Sequence, residues 1–144
     1  MSTVRDLLRQ KRAGVVSVAP TTTVLEAAHL MNERGIGSVV VVEDGHLRGI
    51  FTERDVLRRV VAATRDPATT RMSEVMTTAL VTCEPTTPIE VCAATMTAQR
   101  IRHLPVIGPS GVEGVVSSRD VLAYQLADHA ATIQQLHSYV FDNR

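Results

Sequence analysis

The sequence predicts an α/β (α+β) protein made of two copies of one strand-helix-strand-strand-helix unit, followed by a C-terminal helix. Three observations predict it. The 144 residues, 44% hydrophobic and 21% charged, suffice for one globular domain with a real core. The second half repeats the first when slid back by 65 positions, as Pro20 onto Pro85 illustrates. In both copies, short β-branched runs alternate with stretches of helical periodicity.

The repeat runs without a gap. Pro20-Thr21-Thr22 falls on Pro85-Thr86-Thr87, Val24 on Ile89, Ala28 on Ala93, Met31 on Met96, Ile36 on Ile101, Val41 on Val106 and Gly49 on Gly114. It closes with Arg54-Asp55-Val56-Leu57 on Arg119-Asp120-Val121-Leu122. A lead-in also repeats: Arg5-Asp6-Leu7-Leu8 resembles Ser73-Glu74-Val75-Met76, with three more residues following the first copy. The expected division is residues 1–61 for the first unit with its lead-in, 62–71 for a polar linker around Pro67, 72–126 for the second unit and 127–144 for a helical extension.

Within a unit the elements follow in order. Val15 to Val18 and Leu80 to Cys83 are β-rich runs ending before a proline, which suits a strand and a turn. Thr23 and Glu26 have capping-box spacing, and Val24, Ala27, Ala28 and Met31 recur at helical intervals until Gly35 and Gly37 close the helix. Ser38 to Val42 is an apolar strand, Asp44-Gly45 a turn, Leu47 to Phe51 the returning strand, and Thr52 the cap of a second helix. One copy buries too little alone, so two three-stranded mixed sheets should share a core. The last stretch is helical to about Val140, with Leu122, Leu126, His129, Ile133, Leu136 and Val140 spaced by alternating four and three. Two readings of that seam stand: packing on its own domain, or contact with a second copy.

Composition excludes several function classes. Net charge is zero, and the fifteen cations, fourteen Arg and the single Lys11, are scattered, which argues against nucleic-acid binding. Aromatic content of 3% with no Trp removes a base-stacking platform. No stretch nears the roughly 18 apolar residues of a membrane span, and the opening M-S-T-V-R-D-L-L has no long apolar stretch after a basic segment, so a cytoplasmic location is expected. Cys83 and Cys92 lack metal or redox spacing and are expected to be reduced, partly buried thiols. His29, His46, His129 and His137 show no metal spacing, and no nucleophile-base motif points to an enzyme.

The chemistry lies in Gly49-Ile50-Phe51-Thr52-Glu53-Arg54-Asp55 and Gly114-Val115-Val116-Ser117-Ser118-Arg119-Asp120. Each runs a buried strand into a helix start, with a hydroxyl followed three positions later by an aspartate. One reading is a capping box that satisfies free amides. The other places a phosphate at the helix start and lets the carboxylate accept both hydroxyls of a ribose. Arg54 and Arg119 either screen phosphate charge or lie in solvent.

The combination of V-x-P-x-T-T-V-x-E-A, I-G-S-V-V-V-V or I-R-H-L-P-V-I, and G-I-F-T-E-R-D resembles the CBS-domain family over nearly the whole chain. Two such units in tandem resemble a Bateman module. The resemblance implies a regulatory module, packed about a pseudo-twofold axis, that binds AMP, ADP, ATP, NAD or S-adenosylmethionine between the repeats. It also implies a flat homodimer whose ligand shifts the arrangement of its parts and which reports to a downstream protein. A structural or adaptor protein with vestigial sites is the alternative.

Carried onto this sequence, the resemblance implies one site with Thr52 toward phosphate and Asp55 toward ribose, Ile50, Leu80, Val81 and Ile101 around the base, and Arg102 and His103 at the phosphates. The other would use Ser117 and Asp120, with Val115, Val15, Val16 and Ile36 around the base. Gly37 and Ser38 stand there at the positions of Arg102 and His103 and bring no cation. The Asp55 site is therefore expected to favour phosphorylated ligands, by roughly 1.5 to 3 kcal/mol per charge-assisted contact. For His103, a satisfied buried imidazole and a ligand-facing one both fit; the second implies affinity rising as pH falls through about 6.5.

Overall fold

The computed structural model describes residues 2–11 and 14–142, the side chains of 132 and 138–142 aside. Its elements are α1 (Val4–Lys11), β1 (Ser17–Val18), α2 (Val24–Arg34), β2 (Ser38–Glu43), β3 (His46–Thr52), α3 (Glu53–Asp55), a π-helical continuation (Val56–Val61), α4 (Met72–Val75), α5 (Ile89–Gln99), β4 (His103–Gly108), β5 (Gly111–Ser117) and α6 (Ser118–Asp142). The mixed α/β architecture is the expected one.

In the first repeat, β1 runs parallel to β2 and β2 antiparallel to β3, with Ser17 opposite Val40 and Ser38 opposite Thr52. Thr23 caps α2 in a reciprocal box with Glu26, and Gly35 closes it at φ 62°. The second repeat departs from expectation. Its sheet has only β4 and β5, because the Leu80–Cys83 run pairs with β4 at Cys83 alone. The cause is Pro105. In the first repeat the Val40 amide donates to the Val16 carbonyl at 3.2 Å. Pro105, the counterpart of Val40, has no N–H to give, so the ladder shrinks to Cys83 N–H on Pro105 O and Ile107 N–H on Cys83 O. The first opening strand is likewise shorter than the expected Val15–Val18.

The two lead-ins cross over. Met72 and Val75 of α4 are buried among Val24, Ala27, Val39 and Phe51 of the first repeat, while Val4 and Leu7 of α1 are buried with Ile89, Cys92, Leu104 and Val116 of the second. The backbone repeats the exchange bond for bond. Met72 N–H donates to Thr22 O and Ser73 N–H to Pro20 O; Val4 N–H donates to Thr87 O and Arg5 N–H to Pro85 O. Where each lead-in passes a sheet, a glycine makes room. A Cβ on Gly49 would stand 2.8 Å from Met76 Sδ, and one on Gly114 2.8 Å from Leu8 Cδ2.

Cys83 and Cys92 are free and fully buried, deeper than expected, and they neighbour each other in the second core. The neighbouring Cys92 thiol and burial push the Cys83 thiol up. α6 runs unbroken through the seam. Val121 and Tyr124 pack on the second core, whereas Leu122, Leu126, Ile133 and Leu136 are 57 to 67% exposed, so the seam does not pack on its own domain. Val140 lies outside the described side chains.

Candidate functional site

Each closing motif turns from strand into helix with its hydroxyl and acid locked together. Thr52 N–H donates to Asp55 Oδ2 at 2.9 Å and Asp55 N–H to Thr52 Oγ1 at 3.3 Å. Ser117 and Asp120 repeat the pattern at 2.9 and 3.0 Å. The next amide is also taken, Glu53 N–H by Gly37 O and Ser118 N–H by Arg102 O. Three amides at each helix start are thus engaged in capping contacts.

Asp55 is 7% exposed, yet it carries groups from beyond its own turn. Thr77 Oγ1 donates to it at 3.2 and 3.4 Å, and Arg59 Nε lies 3.5 Å away. Ile50, buried in β3, exchanges backbone hydrogen bonds with Thr77, so the segment leading to Leu80 and Val81 starts beside the first closing motif. Val81 and Ile101 themselves pack against the second core, and Val16 and Ile36 against the first. Gly37 and His103 meet at the junction of the repeats, with His103 Nε2 3.4 Å from where a Gly37 Cβ would stand and Glu53 at the same distance.

Beside Asp55 in the chain, Arg54 crosses to the second repeat and donates to Arg100 O at 3.1 Å. There a cavity of about 560 Å³ opens, lined by four guanidinium side chains, Arg54, Arg58, Arg100 and Arg102, and by Ile101 and Ser118. The first repeat has a matching cavity of about 450 Å³, lined by Ala28, Met31, Gly35, Ile36, Glu53 and Val56. These are counterparts of Ala93, Met96, Arg100, Ile101, Ser118 and Val121 around the larger one. One cavity is strongly cationic; its partner is bordered by a carboxylate. Arg100 sits at φ 56°, where the first repeat has Gly35. A non-glycine residue there costs roughly 1–2 kcal/mol, and strain of this kind gathers at functional sites.

Sequence reasoning missed Arg58, Arg100, Thr77 and Lys11. The first two were findable as breaks in the repeat, since the positions matching them hold Ala123 and Gly35. Arg119 is exposed.

The family model for the CBS domain matches residues 4–62 and again 72–127. The chain belongs to the CBS-domain family. It is 36% identical over 131 residues to the CBS domain-containing protein YhcV of Bacillus subtilis, covering 91% of each chain. Among solved structures, a putative signal-transduction protein with CBS domains from Burkholderia ambifaria superimposes with a TM-score of 0.82 at 36% identity, covering 88% of this chain and 96% of that one. The CBS domain protein PAE2072 from Pyrobaculum aerophilum, complexed with AMP, gives 0.73 at 28% identity, covering 83% and 89%. The chain is accordingly a CBS-domain regulatory module. No helix among its described residues is long and apolar enough to cross a membrane.

Near the closing motifs of this CBS pair, His103 and Asp120 have displaced titrations. Burial pushes the His103 imidazole below its usual range, against the pull of the Glu53 and Asp120 carboxylates; Lys11 and Arg102 add to the lowering. Burial pushes Asp120 up, but hydrogen bonds from Lys11 and the Ser117 amide, with the Lys11 charge, hold it below the usual carboxylate range. For His103 the unfolded chain binds the proton more readily than the folded one, so its contribution to stability falls as pH drops through about 6.5. Urea midpoints measured between pH 7.5 and 5.5 should decline less steeply in His103→Gln than in the parent. Any gain in ligand affinity from protonating His103 should come at lower pH than the sequence suggested.

Proposed function

We propose that the chain is an adenosine-nucleotide sensor, without catalytic activity, whose higher-affinity site lies on the Asp55 side of the cleft between the repeats. The observation that carries this reading is the four-arginine cavity next to the first closing motif. Asp55 accepts the ribose hydroxyls in place of the Thr77 hydroxyl, Ile50, Leu80, Val81 and Ile101 border the base, and Arg102 and His103 with the other guanidinium groups face the phosphates. The AMP complex of the Pyrobaculum relative supports the ligand class. ADP, ATP, NAD and S-adenosylmethionine share the adenosine group and remain candidates. Ser117 and Asp120, with Val115, Val15, Val16 and Ile36, form the weaker site, since Gly37 and Ser38 stand there where the first site has Arg102 and His103. Isothermal titration of nucleotide-stripped protein with these five compounds tests the reading; saturable binding of AMP, ADP or ATP is expected, and no binding by any of them favours an adaptor role.

A symmetric dimer completes the proposal. Leu57 and Val61 are 61 and 65% exposed, and their repeat counterparts Leu122 and Leu126 are 57 and 60% exposed, an apolar surface that a second copy would cover. Light scattering should give twice the chain mass for the parent and the chain mass for Leu122→Glu/Leu126→Glu. A monomeric parent overturns this part.

A further inference from the structure

We infer that Lys11 decides which of the two clefts takes a ligand, by filling the Asp120 cleft with the protein's own ammonium group. This rests on the nucleotide reading above and deepens it. Lys11 Nζ donates to Asp120 Oδ2 at 2.8 Å and to the Val115 carbonyl at 2.9 Å. Those are the carboxylate that would hold a ribose and the strand backbone that would border a base, so ligand and Lys11 compete for the same groups.

The two lead-ins explain why only one cleft is closed. Three additional residues follow the first copy, close to one helical turn. α1 therefore runs eight residues to Lys11, whereas α4 stops after four at Val75. The arm is well held, with Val4 and Leu7 buried in the second core and Leu8 over Gly114. At the equivalent place in the first repeat, Asp55 receives the neutral hydroxyl of Thr77, and its nearest cation, the half-exposed Arg59, stands farther off at 3.5 Å. A ribose hydroxyl replaces a hydroxyl like for like, but displacing the ammonium breaks an ion pair as well as a hydrogen bond. A small cavity of about 160 Å³ lies beside the Lys11–Asp120 pair, between α1 and α6.

AMP titrations of the full chain and of Lys11→Met, each also in an Asp55→Asn background, test the inference. The parent should bind one AMP per chain and Lys11→Met two; in the Asp55→Asn background, only Lys11→Met should retain a site that the Asp55 substitution has not weakened. Two AMP per parent chain, or an unchanged count in Lys11→Met, would overturn it. If no protein binds AMP, the nucleotide reading fails and a second measurement still decides the role of Lys11. Lys11 is the only lysine, so acylation by an amine reagent, located by peptide mass, reports it alone. Asp120→Asn keeps the cap but removes the charge, and should raise the Lys11 acylation rate roughly 10-fold. Equal rates in parent and variant would show that Asp120 does not hold Lys11.

Discussion

Met72→Ala is expected to lower the unfolding free energy by about 2–5 kcal/mol, the range for truncating a buried large side chain to alanine. Met72 directly follows the polar linker of residues 62–71. The fold makes it core: it is 0% exposed, packed in the first repeat with Phe51 and Val39, and its amide is bonded to Thr22 O. Losing its thioether leaves a cavity where the second lead-in joins the first repeat, so one substitution weakens the link between them. Leu25→Ala, on a residue 39% exposed, is the control and should change stability by less than about 1 kcal/mol. Urea unfolding at fixed protein concentration makes the comparison, concentration being held because assembly shifts the midpoint. A Met72→Ala loss no larger than that of the control would mean that the lead-in does not belong to the first core.

Asp55→Asn should weaken AMP binding by roughly 10- to 150-fold, corresponding to about 1.5–3 kcal/mol for a hydrogen bond to a charged group. Asparagine is the informative replacement. It preserves the shape and the cap on Thr52 N–H, so lost affinity is not confused with a frayed helix. The adjacent cations sharpen the comparison, because Arg102→Ala should penalise ATP more than AMP while Asp55→Asn penalises both alike. Titration calorimetry on the three proteins separates these outcomes. Unchanged AMP affinity in Asp55→Asn would remove the ribose contact from the proposal.

Much of this was legible in the residues themselves. The constant offset carries the paired architecture, and Thr23 with Glu26 marks the α2 start that the structure shows. The Thr52-to-Asp55 spacing marks both readings of that motif, and only the bonded amides show capping to be made in full. Pro105 was visible too, but its effect depends on which strand lies beside it; a missing N–H matters only where a neighbour offers a carbonyl.

What the sequence by itself determined is the local and periodic content: two units, the placement of their helices and strands, and a hydroxyl and acid at each strand-to-helix turn. Dihedral preferences, capping and hydrophobic period act over a few residues and need no knowledge of the rest of the chain. Tertiary structure alone decided the exchange of lead-ins, the assembly of Arg54 and Arg58 with Arg100 and Arg102, and the closure of Asp120 by Lys11 from 109 positions away. These are contacts between segments whose separation along the chain carries no information about their separation in space. They exist because each repeat leaves an apolar face that only the other repeat's lead-in covers, and covering it brings distant charges within hydrogen-bonding reach.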